Sequence, residues 1–206
     1  MRPLYTIGDR GLVVGIADEH DDKKVLRIFE EIHPEIVGVA IAEEDLYYVS
    51  SVNKAEGTEN KHGSDECEMS GMVSSISGDI AELCSAKGIK IVPLYPNWEE
   101  YMNMFCQCVG GLDLIIYSMA ARRMHKKAMR KARSEYEYRV LMRNFRMRIK
   151  GYGKLEKMVC NHIARIIWEK ILNFDKRFVI FLDYERVDNV VDILRREYSI
   201  HISPIQ

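Results

Sequence analysis

Apolar residues follow two spacings along this chain. Continuous short runs at Leu4–Ile7, Leu12–Ala17, Ile36–Ala42, Ile89–Tyr95 and Arg177–Leu182 predict strands. Ile36–Ala42 is nearly all apolar, which suits a strand buried on both faces. Pro93 argues for an edge position or an early end of its strand. Between these runs the spacing changes to three and four. Val25, Ile28, Phe29 and Ile32 make one helical face. Leu155, Met158, Val159, His162, Ile163, Ile166, Ile167 and Ile171 make a longer one, and Val187, Val190, Val191, Leu194 and Tyr198 a third. A last short strand is expected within Ser199–Ile205.

The breaks agree with this reading. Gly8-Asp9-Arg10-Gly11 separates two apolar runs as a hairpin turn would. Pro34 stops the first helix. Asp79 with Glu82 resembles a capping box that opens a short helix ending at Gly88. Asn97 caps a further helix whose apolar face is Trp98, Tyr101, Met102 and Phe105, and Gly110-Gly111 breaks it. Gly151-Tyr152-Gly153 closes the basic section that follows. Strands alternating with helices predict an α/β domain with a mixed or mostly parallel sheet and flanking helices. The expectation is one domain over residues 1–206, with a polar loop at 50–73 and a basic helical insertion at 112–150.

Net charge adds a feature that hydropathy does not show. The chain totals −1, but Arg122–Lys150 holds 12 Lys and Arg against Glu135 and Glu137. That local excess of cations is either a solvated arm or a face for an anionic partner, with Arg122, Arg123, Lys126, Lys127 and Arg130 as candidate contacts. No run approaches the ~20 apolar residues of a membrane span, and no secretory leader is evident, so a cytoplasmic protein without a membrane partner is expected. Five scattered cysteines give no disulfide framework. Cys106-Gln107-Cys108 lacks the second pair a zinc site needs.

In open α/β sheets ligands sit at the carboxyl ends of strands. Asp18-Glu19-His20 follows one strand and Asp183-Tyr184-Glu185 another. If those strands are neighbours, Asp18, Glu19, Asp183 and Glu185 are candidate ligand-binding residues. Asp18, His20 and Glu185 are candidate ligands for a divalent metal ion, Mg²⁺ or Mn²⁺ by their oxygens, Zn²⁺ or Fe²⁺ with the histidine. The plain alternative is that these acids cap helices and stay in water. His62, Asp65, Glu66 and Glu68 lie in the polar loop, where a solvated role is the simpler one. His162 falls on an apolar face and reads as a core histidine. Gly-x-Gly-x-x-Gly, a Walker loop and a Gly-x-Ser-x-Gly elbow are all missing, which argues against dinucleotide, P-loop and serine-hydrolase chemistry.

The stretch VVGIADEHDDKKVLRIFEEIHPEIVGVAIAEE (Val13–Glu44), then DIAELCSAKGIKIVPLY (Asp79–Tyr95), the helix from Leu155 to Ile171 and RFVIFLDYERVDNVVDIL together resemble the TraB/PrgY family, which is related to the Tiki metalloproteases. The resemblance covers about half the chain and lies in hydrophobic pattern and order. It implies an α/β fold with two Gly-x-x-His motifs at strand ends. Here Gly15 is followed three residues on by Asp18, and Leu182-Asp183-Tyr184-Glu185 has neither glycine nor histidine. His162-Ile163-Ala164 keeps nothing of the family's acidic-basic-acidic triplet. Only Gly15 carries over, as a place for close backbone approach. The resemblance therefore implies a degenerate, catalytically silent member with a regulatory or partner-binding role. Its partner would be a protein, a peptide, a nucleic acid or another polyanion, and a homo-oligomer is compatible with the basic arm. The alternative is a metal-dependent hydrolase with a remodelled acidic site, so whether the chain is an enzyme stays open. Both readings need the strands leading into Asp18 and Asp183 to lie side by side.

Overall fold

The computed structural model describes residues 4–16, 22–46, 75–133 and 135–205. Asp18, Glu19, His20, Asp21 and the whole polar loop at 50–73, with Cys67 and the acids around it, lie outside the described residues. The described chain forms a mixed six-stranded sheet flanked by helices.

The first hairpin forms as the glycines require. Strand β1 (Leu4–Ile7) pairs antiparallel with β2 (Gly11–Ile16), and Gly8 turns at φ +56°. Gly11 is needed for a different reason: a Cβ there would strike the Phe178 ring. Helix α1 (Asp22–Ile32) buries Val25 and Phe29. Strand β3 (Ile36–Val39) follows, then helix α2 (Ser75–Lys87) and strand β4 (Lys90–Pro93). Four helices come next: α3 (Trp98–Cys108), α4 (Gly111–Lys131), α5 (Glu135–Met147) and α6 (Lys150–Ile167), the last continuing as a wider π turn through Leu172. Strand β5 (Phe178–Asp183), helix α7 (Tyr184–Glu197) and strand β6 (Ile202–Pro204) complete the fold.

The strand order is β4-β3-β5-β2-β1-β6. β4, β3, β5 and β2 are parallel, and β1 and β6 add an antiparallel margin. Pro93 ends an edge strand, where its missing N–H is harmless. β5 sits between β3 and β2 and is buried on both faces. Phe178, Ile180 and Leu182 join a core with α6 and α7; Val179 and Phe181 join a second core with α1 and α2. That two-sided burial is why the central strands read as unbroken apolar runs. β2 and β5 pair from Gly11–Phe178 to Ile16–Asp183, so their carboxyl ends share one rim. The helices following β2 and β3 pack on one face and the helix following β5 on the other. In open α/β sheets the strand ends at such a reversal are the usual place for a ligand.

Four local expectations need correction. α2 begins at Ser75, a full turn before Asp79, so Asp79 lies within the helix rather than at its cap. Trp98 does not join the core face: it is 55% exposed in the first turn and stacks on Tyr101. Gly151 and Gly153 lie inside the first turn of α6 rather than ending a segment. A Cβ on Gly151 would stand 2.7 Å from the Cys108 carbonyl oxygen, so this glycine serves close packing. The basic section is two helices, broken near Ala132, rather than one arm; Tyr117 of α4 packs against Phe145 and Tyr152 of the next two helices.

Candidate functional site

The rim carries a polar cluster built from five elements. β5 delivers Asp183 at its last residue, and Arg186 follows one turn into α7. Arg186 Nη1 reaches Asp183 Oδ2 at 2.8 Å. The same guanidinium donates from Nε and Nη2 to the two oxygens of Glu156 on α6, at 2.8 and 3.1 Å. Such a two-pronged pair fixes orientation as well as charge. Arg143 of α5 donates from Nη2 to Glu156 Oε1 at 3.1 Å, and its Nε lies 3.3 Å from Glu185 Oε2. Tyr95, two residues beyond β4, donates its hydroxyl to Asp183 and accepts from Arg186. Its ring also lies 5.1 Å from the Arg186 guanidinium carbon.

Burial and charge compete within the cluster. Burial pushes Glu156 up, but the charges and hydrogen bonds of Arg186 and Arg143 outweigh it and hold the carboxyl below its ordinary value. Burial pushes Glu185 up, and there it wins despite Arg143. Burial opposes the Arg186 cation, yet Tyr95, Glu156 and Asp183 hold it charged. Burial also drives the Tyr95 hydroxyl well above its usual range, so it stays protonated as a donor to Asp183. Near this cluster, burial and then Glu156 push the Cys160 thiol up to about 11. It is therefore a protonated core thiol, without thiolate reactivity at neutral pH.

Of the residues anticipated for ligand or metal binding, Asp183 and Glu185 share one cluster. Both are engaged by arginine. Gly15 is buried in β2 opposite Leu182. Asp18, Glu19 and His20 are outside the described residues, so the proposed metal set is represented there by Glu185 alone. No group of three potential metal ligands occurs among the described residues. Cys108 contacts Met158, its sulfurs 3.1 Å apart. His162 is buried on the apolar face of α6, as its spacing predicts. Two surface hollows are lined around Phe29–Pro34 and around Lys90–Pro93, and neither includes Asp183, Glu185 or Glu156.

Tyr95, Arg143, Glu156 and Arg186 were not anticipated. Only the Asp183–Arg186 pair, three apart at a helix start, leaves a local signal in sequence. The others come from α5, α6 and the segment after β4 and meet only after folding. The cluster can clamp α5, α6 and α7 to the sheet rim; Arg186 donates to Glu156, Asp183 and Tyr95, and Arg143 Nη2 to Glu156, while the buried Arg143 Nε lies near Glu185 without a hydrogen bond.

The second charged region behaves differently. Arg122, Arg123, Lys126, Lys127 and Arg130 are all exposed on α4, and Lys131 with them. None of the six forms an ion pair with a described residue. No single helix among the described residues is long and apolar enough to cross a membrane.

No family profile, no curated protein and no solved structure matches this chain.

Proposed function

We propose that this chain is a cytoplasmic, TraB-like α/β module without catalysis, which binds an anionic partner through the exposed cationic face of α4. The observation that carries the reading is the contrast in pairing. The acids at the rim are matched by arginines, whereas five cations on one surface of α4 have no counter-charge among the described residues. Kinship with the TraB/PrgY pattern requires neighbouring β2 and β5, which this sheet has. The missing motif histidines and the engaged Asp183 and Glu185 support the silent form over the hydrolase. A metal bound through Glu185 would first have to displace Arg143.

Retention on a heparin column at rising salt tests the binding surface. Elution should move to lower salt in Arg122→Gln/Arg123→Gln/Lys126→Gln, and binding by the wild type should fall steeply as salt rises. A wild type that flows through, or a variant that elutes with it, refutes the reading. Thermal shift with Mg²⁺, Mn²⁺ or Zn²⁺ tests the silence of the rim. A stabilisation abolished by Glu185→Gln would favour the hydrolase instead.

A further inference from the structure

The exposed face of α4 changes character along its length. A helix turns about 100° per residue, which places Leu112, Ile115, Ile116 and Met119 in one stripe. These four are 71%, 56%, 45% and 78% exposed. Arg122, Arg123, Lys126 and Arg130 continue the same stripe through the following turns. On the opposite side Tyr117, Ala121, Met124 and Ala128 turn inward, although Leu114 there is 43% exposed. The exposed stripe carries no acid. Asp113, the single acid of α4, is folded beneath it and accepts from the Gly110 and Gly151 amides at 3.0 and 3.3 Å.

We infer that this face docks on an anionic bilayer surface, with the apolar quartet entering the acyl boundary and the cations lying among the headgroups. The inference rests on the cationic-face reading above and names its partner. At ~1.5 Å rise per residue the quartet extends roughly 10 Å along the helix axis, a short apolar patch that suits a helix lying in the plane of the interface. It falls far short of the ~30 Å of a hydrocarbon core. The preceding helix α3 meets α4 at 96°, so the two do not form one straight rod. The charge pattern selects this occupant over others. A polyanion in water would satisfy the cations and leave four large apolar side chains wet. A second copy fits poorly: antiparallel pairing sets the apolar half of one stripe on the cationic half of the other, and parallel pairing sets cation on cation. An anionic bilayer takes both halves in one contact. This departs from the expectation of no membrane partner. That expectation came from the lack of a spanning run, and a stripe of this kind becomes visible only when exposure is known.

Co-sedimentation with phosphatidylcholine vesicles, with and without phosphatidylserine, tests the inference. The wild type should bind the anionic vesicles and bind neutral ones at least about tenfold more weakly. Each cation near the surface is worth roughly fivefold, so Arg122→Gln/Arg123→Gln/Lys126→Gln should lose on the order of 100-fold. Ile115→Ser/Met119→Ser should lose about tenfold on vesicles while its heparin retention is unchanged. All five positions are exposed, and circular dichroism checks that the variants stay folded. As an independent readout, Ile116→Trp should show blue-shifted emission and quenching by brominated lipid. Heparin retention without vesicle binding overturns the inference and leaves the cationic-face reading standing. Loss of both overturns both. Vesicle binding by Ile115→Ser/Met119→Ser equal to wild type also overturns it. So does a lipid-free dimer that dissociates in that variant, because the occupant is then a second copy.

Discussion

The rim of the sheet and the outer face of α4 are both strongly charged, and they use charge in opposite ways. At the rim, Asp183, Glu156 and Glu185 meet Arg186 and Arg143, and the contacts are partly buried. On α4 the cations are exposed, and none of them forms an ion pair with a described residue. The first arrangement loses heavily when Arg186 or Glu156 at its centre is removed, because the other is left buried and unmatched. The second loses almost nothing, because water already solvates each charge. Charged residues at a strand's carboxyl end are thus no guide to function by themselves. What decides is whether the folded protein has already given them partners.

Arg186→Ala should be the most damaging of the variants considered. It strips Glu156 of its two-pronged partner and Tyr95 and Asp183 of a shared donor. A loss of about 3 kcal/mol is expected, measurable by urea denaturation. A loss below about 1 kcal/mol would mean the cluster behaves as an exposed one. Asp113→Ala comes next. It removes the acceptor that ties Gly110 to Gly151 at the root of α4, and should cost about 1–2 kcal/mol. Vesicle and heparin binding should survive in the folded fraction.

The two glutamates of the rim sharpen the comparison from within. Glu156 is held below its ordinary value of 4.5, so its stabilising contribution is present above that pH and fades as pH falls through the folded value. Glu185 is raised above 4.5, so the stability it contributes is full below pH 4.5 and is lost as pH rises through the folded value. At neutral pH, Glu156→Gln should therefore destabilise, and Glu185→Gln should be neutral or mildly stabilising. Denaturation midpoints of the two variants across pH 3 to 7 check the opposite signs. The smallest effect is expected at α4. Arg122→Gln/Arg123→Gln/Lys126→Gln should change stability by no more than about 0.5 kcal/mol.

The fold was readable because two-sided burial leaves a plain mark. β3 and β5 are apolar at every position that meets either layer of helices, and the helices carry their faces at three-and-four spacing. That the strands ending at Ile16 and Asp183 lie side by side was a condition of both functional readings, and the sheet meets it. The candidate site was readable only in part. Asp183 and Glu185 could be placed at a strand end, but their partners come from α5, α6 and the segment after β4, far apart in the chain. The tight approach of Cys108 to Gly151 was hidden for the same reason: a glycine that breaks a helix and one that admits a neighbour look alike in sequence. The basic run was conspicuous from the start. How it divides was not: Arg143 turns inward to the rim, while Arg122 to Arg130 stay outside.

One paired measurement tests the central claim most directly: urea denaturation and heparin retention recorded together for Arg186→Ala and for Arg122→Gln/Arg123→Gln/Lys126→Gln. The account predicts a clean crossing, in which the first variant loses stability and its folded fraction still binds, while the second keeps its stability and stops binding. If Arg186→Ala abolishes binding without unfolding, or the α4 variant binds as before, the rim rather than the helix is the working surface and the account is wrong.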